Sequence, residues 1–348
     1  MGGTIILGML NASHLERIVA SNLKPIEALM TDPHVTEIMV TGDGVVRVER
    51  SGVIEETGIT LSENAREMAL TAVAKTAGGK GKDLRPGTED AVVSTSIGGL
   101  RFAGALKGVD ERGTTLTIRK HLPPESRPTL DQLIAWGMLS AETAQTLIDL
   151  IIVQRMNCIF AGPTSGGKTT LANAILMHLP SHERIGLIED SREMALRVAH
   201  KNCYLSADQS GLTAKVLVKQ AMRERYDRLI LSETRGDDTF DLLRALSSGH
   251  NGSVTTLHAS SAESALSTLE MLFQMSLPPG VQMGPEHSQR YIASCINLVV
   301  YCSRSYGRDA SGEFKSQRKV TEVAIVKGVQ NGRYNLQYVF PESHQAAA

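Results

Sequence analysis

The string Gly162-Pro163-Thr164-Ser165-Gly166-Gly167-Lys168-Thr169 follows an apolar run at 157–161 and precedes Thr170-Leu171-Ala172-Asn173-Ala174-Ile175-Leu176, helix formers with apolar spacing. A loop of the form G-x-x-x-x-G-K-[ST] between a strand and a helix constrains the fold more than any other feature of this chain. Its glycines let consecutive backbone N–H groups turn onto phosphate oxygens, and the helix N-terminus adds a favourable dipole. Gly162, Pro163, Thr164, Ser165, Gly166 and Gly167 form the expected cradle, and Thr170 completes the nucleotide-contacting set. Lys168 is expected to reach the β- and γ-phosphates, and the Thr169 hydroxyl to hold Mg²⁺. The ligand implied is ATP or GTP.

The 348 residues suggest about two domains, and 42% hydrophobic content is ample for packed cores. A formal net charge of -1 provides no bulk attraction for nucleic acid, and 4% aromatic residues argue against a base-stacking channel. Direct nucleic-acid binding is therefore not indicated. Cys158, Cys203, Cys295 and Cys302 lack C-x-x-C spacing, and three of them sit in apolar runs, which fits a reduced, cytoplasmic compartment. The apolar stretch at 147–153 is too short and interrupted to span a bilayer, and residues 1–7 lack the basic region and cleavage site of a signal peptide. Any membrane contact is expected to be peripheral.

Along the chain, a short amphipathic helix is expected at 24–30, with Pro25 in its first turn, followed by strands at 35–40 and 45–50 joined by a Gly-containing turn. Ser51-Gly52 turns into a third strand, Ser62 caps a helix over 65–75, and 100–106 and 115–118 supply further strands. Residues 1–120 thus read as a small α+β domain. Three prolines within 121–128 mark an extended linker over 121–130. From 131 to 348, strands at 157–161, 185–188, 229–231, 253–257 and 298–301 alternate with helical segments, the pattern of a parallel α/β sheet. Near the end, Asn331-Gly332 joins strands at 320–326 and 334–339 as a hairpin, and Ala346-Ala347-Ala348 reads as a frayed tail.

Three further segments carry chemistry. Glu189, Asp190 and Glu193 end a strand, and strand C-termini in open α/β sheets face the ligand crevice, where carboxylates orient Mg²⁺ or water. A solvated first turn of a helix explains them equally well. Glu233 ends the apolar strand at 229–231, the way a sheet delivers a carboxylate to a metal or water. His250 and His258 bracket another apolar strand, His258 at its phosphate end, with no Cys/His cluster at zinc spacing beside them.

Taken in order, these segments resemble the Walker A, Asp, Walker B and His boxes of the secretion ATPase superfamily, and most closely the traffic ATPases of type IV secretion and conjugative transfer systems. The family pattern L-R-x-R-P-D-R-I-x-x-x-E-x-R-G is similar to the run from Met222 through Arg225-Tyr226-Asp227-Arg228 to Glu233-Thr234-Arg235-Gly236. Resemblance extends through Ser248-Gly249-His250 to His258-Ala259, and back to Val35-Thr36-Glu37-Ile38 and Thr117-Ile118-Arg119-Lys120, covering roughly residues 24 to 300. Tyr226 stands where the family commonly has Pro, and Ser165-Gly166-Gly167 replaces a frequent Gly-Ser-Gly.

The resemblance implies an α/β fold: a RecA-like P-loop NTPase domain with a parallel-rich sheet, preceded by a smaller α+β N-terminal domain. It implies a homo-hexameric ring, ATP and Mg²⁺ as cofactors, and work beside other ATPases and inner-membrane components, peripheral at the bacterial inner membrane. For this chain it implies Glu193 in water activation, Glu233 in the Mg²⁺ and water shell, His258 as a γ-phosphate sensor, and Arg101 and Arg119 as first-domain arginines reaching nucleotide phosphates. Type IV pilus and type II secretion ATPases share the superfamily. The TRGDD-type sequence at 234–238 and the lack of a tetracysteine segment favour the conjugative branch over them. Rivals of another class are a nucleic-acid translocase, marked by salt-dependent stimulation by DNA, and a noncatalytic nucleotide-binding scaffold.

Overall fold

A computed structural model describes residues 14–50, 52–76, 81–97, 99–120, 126–206, 212–308 and 314–340, and the chain divides into two compact units. The expectations for 1–7, for 121–125 of the linker and for 346–348 lie outside the described residues.

The first unit opens with α1 (His14–Asn22), a 3-10 turn at Lys24–Ile26 carrying Pro25, and α2 (Glu27–Thr31). Six strands follow around one long helix: β1 (Val35–Val40), β2 (Val45–Arg50), β3 (Val53–Thr60), α3 (Glu63–Lys75), β4 (Val92–Ile97), β5 (Leu100–Ala105) and β6 (Thr115–Lys120). They form one sheet in the order β3-β2-β1-β6-β5-β4, all neighbours antiparallel. Ser62 caps α3 by accepting from the Ala65 N–H, as its sequence indicates. Alternation sends Ile38, Val40, Val46, Val48, Phe102, Leu116 and Ile118 into a core shared with Ala69, Leu70 and Val73 of α3. Neither α1 nor β4 is anticipated by the sequence reading. α1 buries little beyond Val19, and β4 is a short edge strand that buries Val93 while its neighbours are more exposed.

The second unit begins with α4 (Leu130–Ala135), capped by Thr129, and α5 (Ala141–Ile148), capped by Ser140 and continuing as a π-helical turn over Asp149–Val153. Then come β7 (Cys158–Ala161), α6 (Lys168–Leu176), β8 (Ile185–Glu189), β9 (Lys201–Leu205), α7 (Ala214–Ala221), β10 (Arg228–Leu231), α8 (Thr239–Ser247) and β11 (Val254–Leu257). Then follow α9 (Ala262–Ser276), α10 (Pro285–Cys295), β12 (Leu298–Arg308), β13 (Phe314–Gln330) and β14 (Arg333–Phe340), of which 307–308 and 314–316 belong to the first unit and the rest complete the second.

Its sheet runs β14-β13-β12-β7-β11-β10-β8-β9, parallel from β12 to β9 and antiparallel between β13 and β14. β7 is buried on both faces: Cys158 and Phe160 join a core with α4, α5 and α6, while Ile159 and Ala161 join another with α7 to α10. The apolar stretch at 147–153 feeds the first of these cores, and no helix among the described residues is long and apolar enough to cross a membrane. Asn331 and Gly332 both have positive φ, the geometry of a two-residue hairpin turn. β9 is a further strand the sequence reading lacks.

Candidate functional site

The loop after β7 has the backbone its glycines allow. Gly162 (φ 152°) passes so close to β12 that a Cβ there would lie 2.2 Å from the Cys302 carbonyl oxygen. Gly167 (φ 89°) is the N-cap of α6 in the left-handed region, and it makes no side-chain cap, so the first N–H groups of that helix face the loop. Arg318 of β13 donates from Nε to the Ser165 carbonyl at 2.8 Å and braces the loop's outer turn. Lys168 is buried, and its Nζ donates to the Gly162 and Pro163 carbonyls at 2.9 and 2.8 Å. Burial pushes its ammonium below the ordinary lysine range. A cradle of N–H groups that a Cβ would obstruct, with a desolvated cation folded onto it, fits a phosphate chain.

Sheet order sets what stands beside this loop. β11 neighbours β7, β10 neighbours β11, and β8 neighbours β10, all parallel, so their carboxyl ends line one edge. His258 follows β11, Glu233 lies just past β10, and Glu189 ends β8. His258 Nδ1 is 3.4 Å from Lys168 Nζ, and its Nε2 is 3.0 Å from Glu233 Oε1. Burial and the Lys168 ammonium lower the His258 pKa, while Glu233 opposes that shift. A neutral ring with its proton on Nε2 satisfies both neighbours, donating to the carboxylate and accepting from the lysine. Lys168, His258 and Glu233 therefore form one connected group. Among the described residues no three His, Cys, Asp or Glu side chains cluster to hold a metal ion. Mg²⁺ prefers oxygen donors, often takes only one or two from protein and completes its shell with phosphates and water, so a hydroxyl and a carboxylate such as those of Thr169 and Glu233 are fitting donor types.

Glu189, expected at the ligand crevice, ends β8 with its carboxylate turned onto the chain itself. It is buried, and its Oε1 accepts from the N–H groups of Glu193 and Met194 at 2.9 and 2.7 Å, so it shapes the loop that carries Glu193. Asn173 of α6 assists, its Oδ1 accepting from the Ala195 N–H, and Arg127 donates to the Arg192 carbonyl. None of these anchors is distinguishable in the sequence, where three carboxylates in five residues look alike. Glu193 itself is half-buried, and its Oε1 accepts from the Ser191 hydroxyl at 3.2 Å. His250 is buried with Nδ1 on the Ala245 carbonyl, a structural contact.

Arg101 and Arg119 belong to the first unit, cross-strand partners on β5 and β6, with Arg119 also paired in register to Glu37 on β1 and 3.5 Å from its carboxylate. They lie on the sheet face opposite Ile118 and Phe102.

Burial drives the Glu189 pKa up to about 7 from an ordinary 4.5. Between those values the folded state binds more protons than the unfolded one, so this group's contribution falls as pH rises and is flat above about pH 7. Glu189→Gln keeps the acceptor and removes the titration. Its stability relative to wild type should rise across that window by up to about 3 kcal/mol. Urea unfolding of both proteins from about pH 5 to pH 8 measures the difference, and a pH-independent gap would contradict the assignment.

With this geometry in place, comparison with known proteins gives consistent matches. Residues 109–330 match the family model described as Type II/IV secretion system protein. The conjugal transfer protein TrbB of Rhizobium radiobacter is 30% identical over 325 residues, covering 91% of this chain and 92% of TrbB. The type IV secretion system protein PtlH of Bordetella pertussis is 31% identical over 316 residues, covering 83% and 91%. Among solved structures, the Legionella pneumophila ATPase DotB superposes with a TM-score of 0.57 at 17% identity over 87% of this chain and 79% of its own, a likeness of fold.

Proposed function

The chain belongs to the type II/IV secretion system protein family, and from that premise we propose that it hydrolyses ATP to drive substrate transfer or pilus assembly by a bacterial type IV secretion or conjugation machine. One arrangement carries the reading: the Lys168 loop, His258 and Glu233 meet at the carboxyl ends of adjacent parallel strands. With helices on both faces of that sheet, the second unit is read as a RecA-like P-loop domain of residues 131–348.

The reaction is transfer of the γ-phosphoryl group to water. Because the transition state spreads charge over the phosphoryl oxygens, catalysis is mostly electrostatic positioning. Lys168 leaves the Gly162 and Pro163 carbonyls for the phosphates, and the loop N–H groups hold the β-phosphate. Glu193 orients the attacking water, and His258 reads the γ-phosphate from its place beside Lys168. Thr169 and Glu233 would hold Mg²⁺, which when bound neutralises developing charge between the phosphates. Arg101 and Arg119 add positive charge from the first domain. The working assembly is a homo-hexamer at the cytoplasmic face of the inner membrane, in peripheral contact with it and with the machine's other ATPases and membrane components.

Glu193→Gln and Glu233→Gln should keep affinity for Mg²⁺-free ADP within about threefold while losing about 10²-fold in turnover, since water activation and metal placement matter most in the transition state. Arg119→Ala belongs in the same series. Phosphate release and fluorescent-ADP binding separate the two quantities, and equal losses in both would remove the proposed roles. Solution mass with and without a nonhydrolysable ATP analogue tests the ring.

A further inference from the structure

Arg235 grips two carboxylates delivered by different strands. Its NH2 lies 2.6 Å from Glu233 Oε2 and 2.9 Å from Asp190 Oδ2, and its Nε donates to Glu233 Oε2 at 2.8 Å. Asp190 follows β8 and Glu233 follows β10, parallel neighbours with Leu231 registered against Ile188. The other Glu233 oxygen accepts from His258 at 3.0 Å. Donors from two directions therefore fix the plane of this carboxylate. Asp190 is in turn 3.4 Å from the Ser191 hydroxyl, which also reaches Glu193 Oε1. One guanidinium thus stands at the junction of the two segments that carry Glu193 and Glu233.

Resting on the ATPase reading above, we propose that Arg235 is a positioning residue that sets Glu233 and the 190–193 loop as one unit, so that the metal-facing and water-facing carboxylates are placed together. NH2 alone reaches both carboxylates, and Nε adds a second bond to Glu233 that holds the guanidinium plane, whereas a lysine ammonium is a single point on a flexible stem that can reach both acceptors without fixing that plane. Arg235 is half exposed, where an ion pair adds little stability. Its value lies in orientation, and orientation is where small displacements cost rate: a 1 Å misplacement can cost about 10²-fold.

The test uses full-length protein with Arg235→Ala, Arg235→Lys, Asp190→Asn and the Arg235→Ala/Asp190→Asn double variant, each matched to wild type by circular dichroism and melting temperature. Arg235→Ala should lower kcat by about 10–100-fold. Its affinity for fluorescent ADP without Mg²⁺ should stay within about twofold of wild type, while the affinity gained on adding Mg²⁺ shrinks at least fivefold, roughly the share expected from a displaced ligand shell. Arg235→Lys should recover part of both, and the double variant should be no worse than Arg235→Ala, since both substitutions cut one linkage. An unchanged Mg²⁺ gain in Arg235→Ala, or losses that multiply in the double variant, would overturn the positioning role while leaving the ATPase reading intact. A wild-type protein that binds no nucleotide would overturn both.

Discussion

Lys168→Ala should lower ATP turnover by about 10²–10³-fold or more, the loss seen when one group that stabilises transition-state charge is removed from a phosphate or oxyanion site. The fold should survive, because the loop's path is set elsewhere. Gly162 is held against the Cys302 carbonyl, Gly167 opens α6 in the left-handed region, and Arg318 braces Ser165. The substitution takes this donor from the buried Gly162 carbonyl, the half-buried Pro163 carbonyl and the Nδ1 side of the exposed His258 ring. A loss of about 1–3 kcal/mol is expected, because one of the acceptors left without the charged donor is buried. Nucleotide binding should weaken but persist, since N–H groups and not the lysine make most phosphate contacts. Phosphate release by a variant with a wild-type circular dichroism spectrum is the measurement. Turnover at the wild-type rate would refute the assignment of this loop.

Much of this was legible in sequence because the residues concerned act locally. The phosphate loop, the Ser62 cap and the Asn331-Gly332 turn each follow from backbone rules over a few residues, and the inner strands of the second sheet stand out as apolar runs. Glu233 and His258 were legible too, since each follows such a run directly. β9 was not: Lys201-Asn202-Cys203-Tyr204-Leu205 lies at the sheet edge, half exposed, with no apolar periodicity strong enough to mark it. Tyr226, the departure from the family pattern, is explained only in three dimensions. Its ring lies over Gly186, where a Cβ would approach within 2.8 Å, under the Arg184 guanidinium, and its hydroxyl donates to Glu224. Glu189 and Arg235 were illegible for the same reason, because whether a carboxylate or guanidinium is buried, gripped or solvated depends on strands distant in sequence.

Arg228→Met should be among the most destabilising single changes in the second unit, about 3–5 kcal/mol, although the residue touches no part of the phosphate site. Read as sequence, this arginine merely opens an apolar strand, a place where charged side chains are usually solvated. In the fold it is fully buried. Its Nε and NH2 donate to Glu183, and its NH1 and NH2 reach the Ile151, Gly252 and Ile152 carbonyls at 2.6, 3.1 and 2.8 Å. The guanidinium thereby satisfies carbonyls near the end of the π-helical turn and pins it to the amino ends of β10 and β11. Gly252 makes room, because a Cβ there would lie 2.2 Å from Arg228 NH1. Removing the cation leaves the buried Glu183 carboxylate to Arg155 alone, at 2.6 Å, and strips three buried carbonyls of a donor. The melting transition should fall by about 10 °C for a unit of this size. Arg228→Met combined with Glu183→Leu should recover part of the loss, since a buried pair replaced as a whole no longer strands a charge. If Arg228→Met melts with wild-type protein while its ATP turnover collapses, this arginine serves the reaction and not the fold.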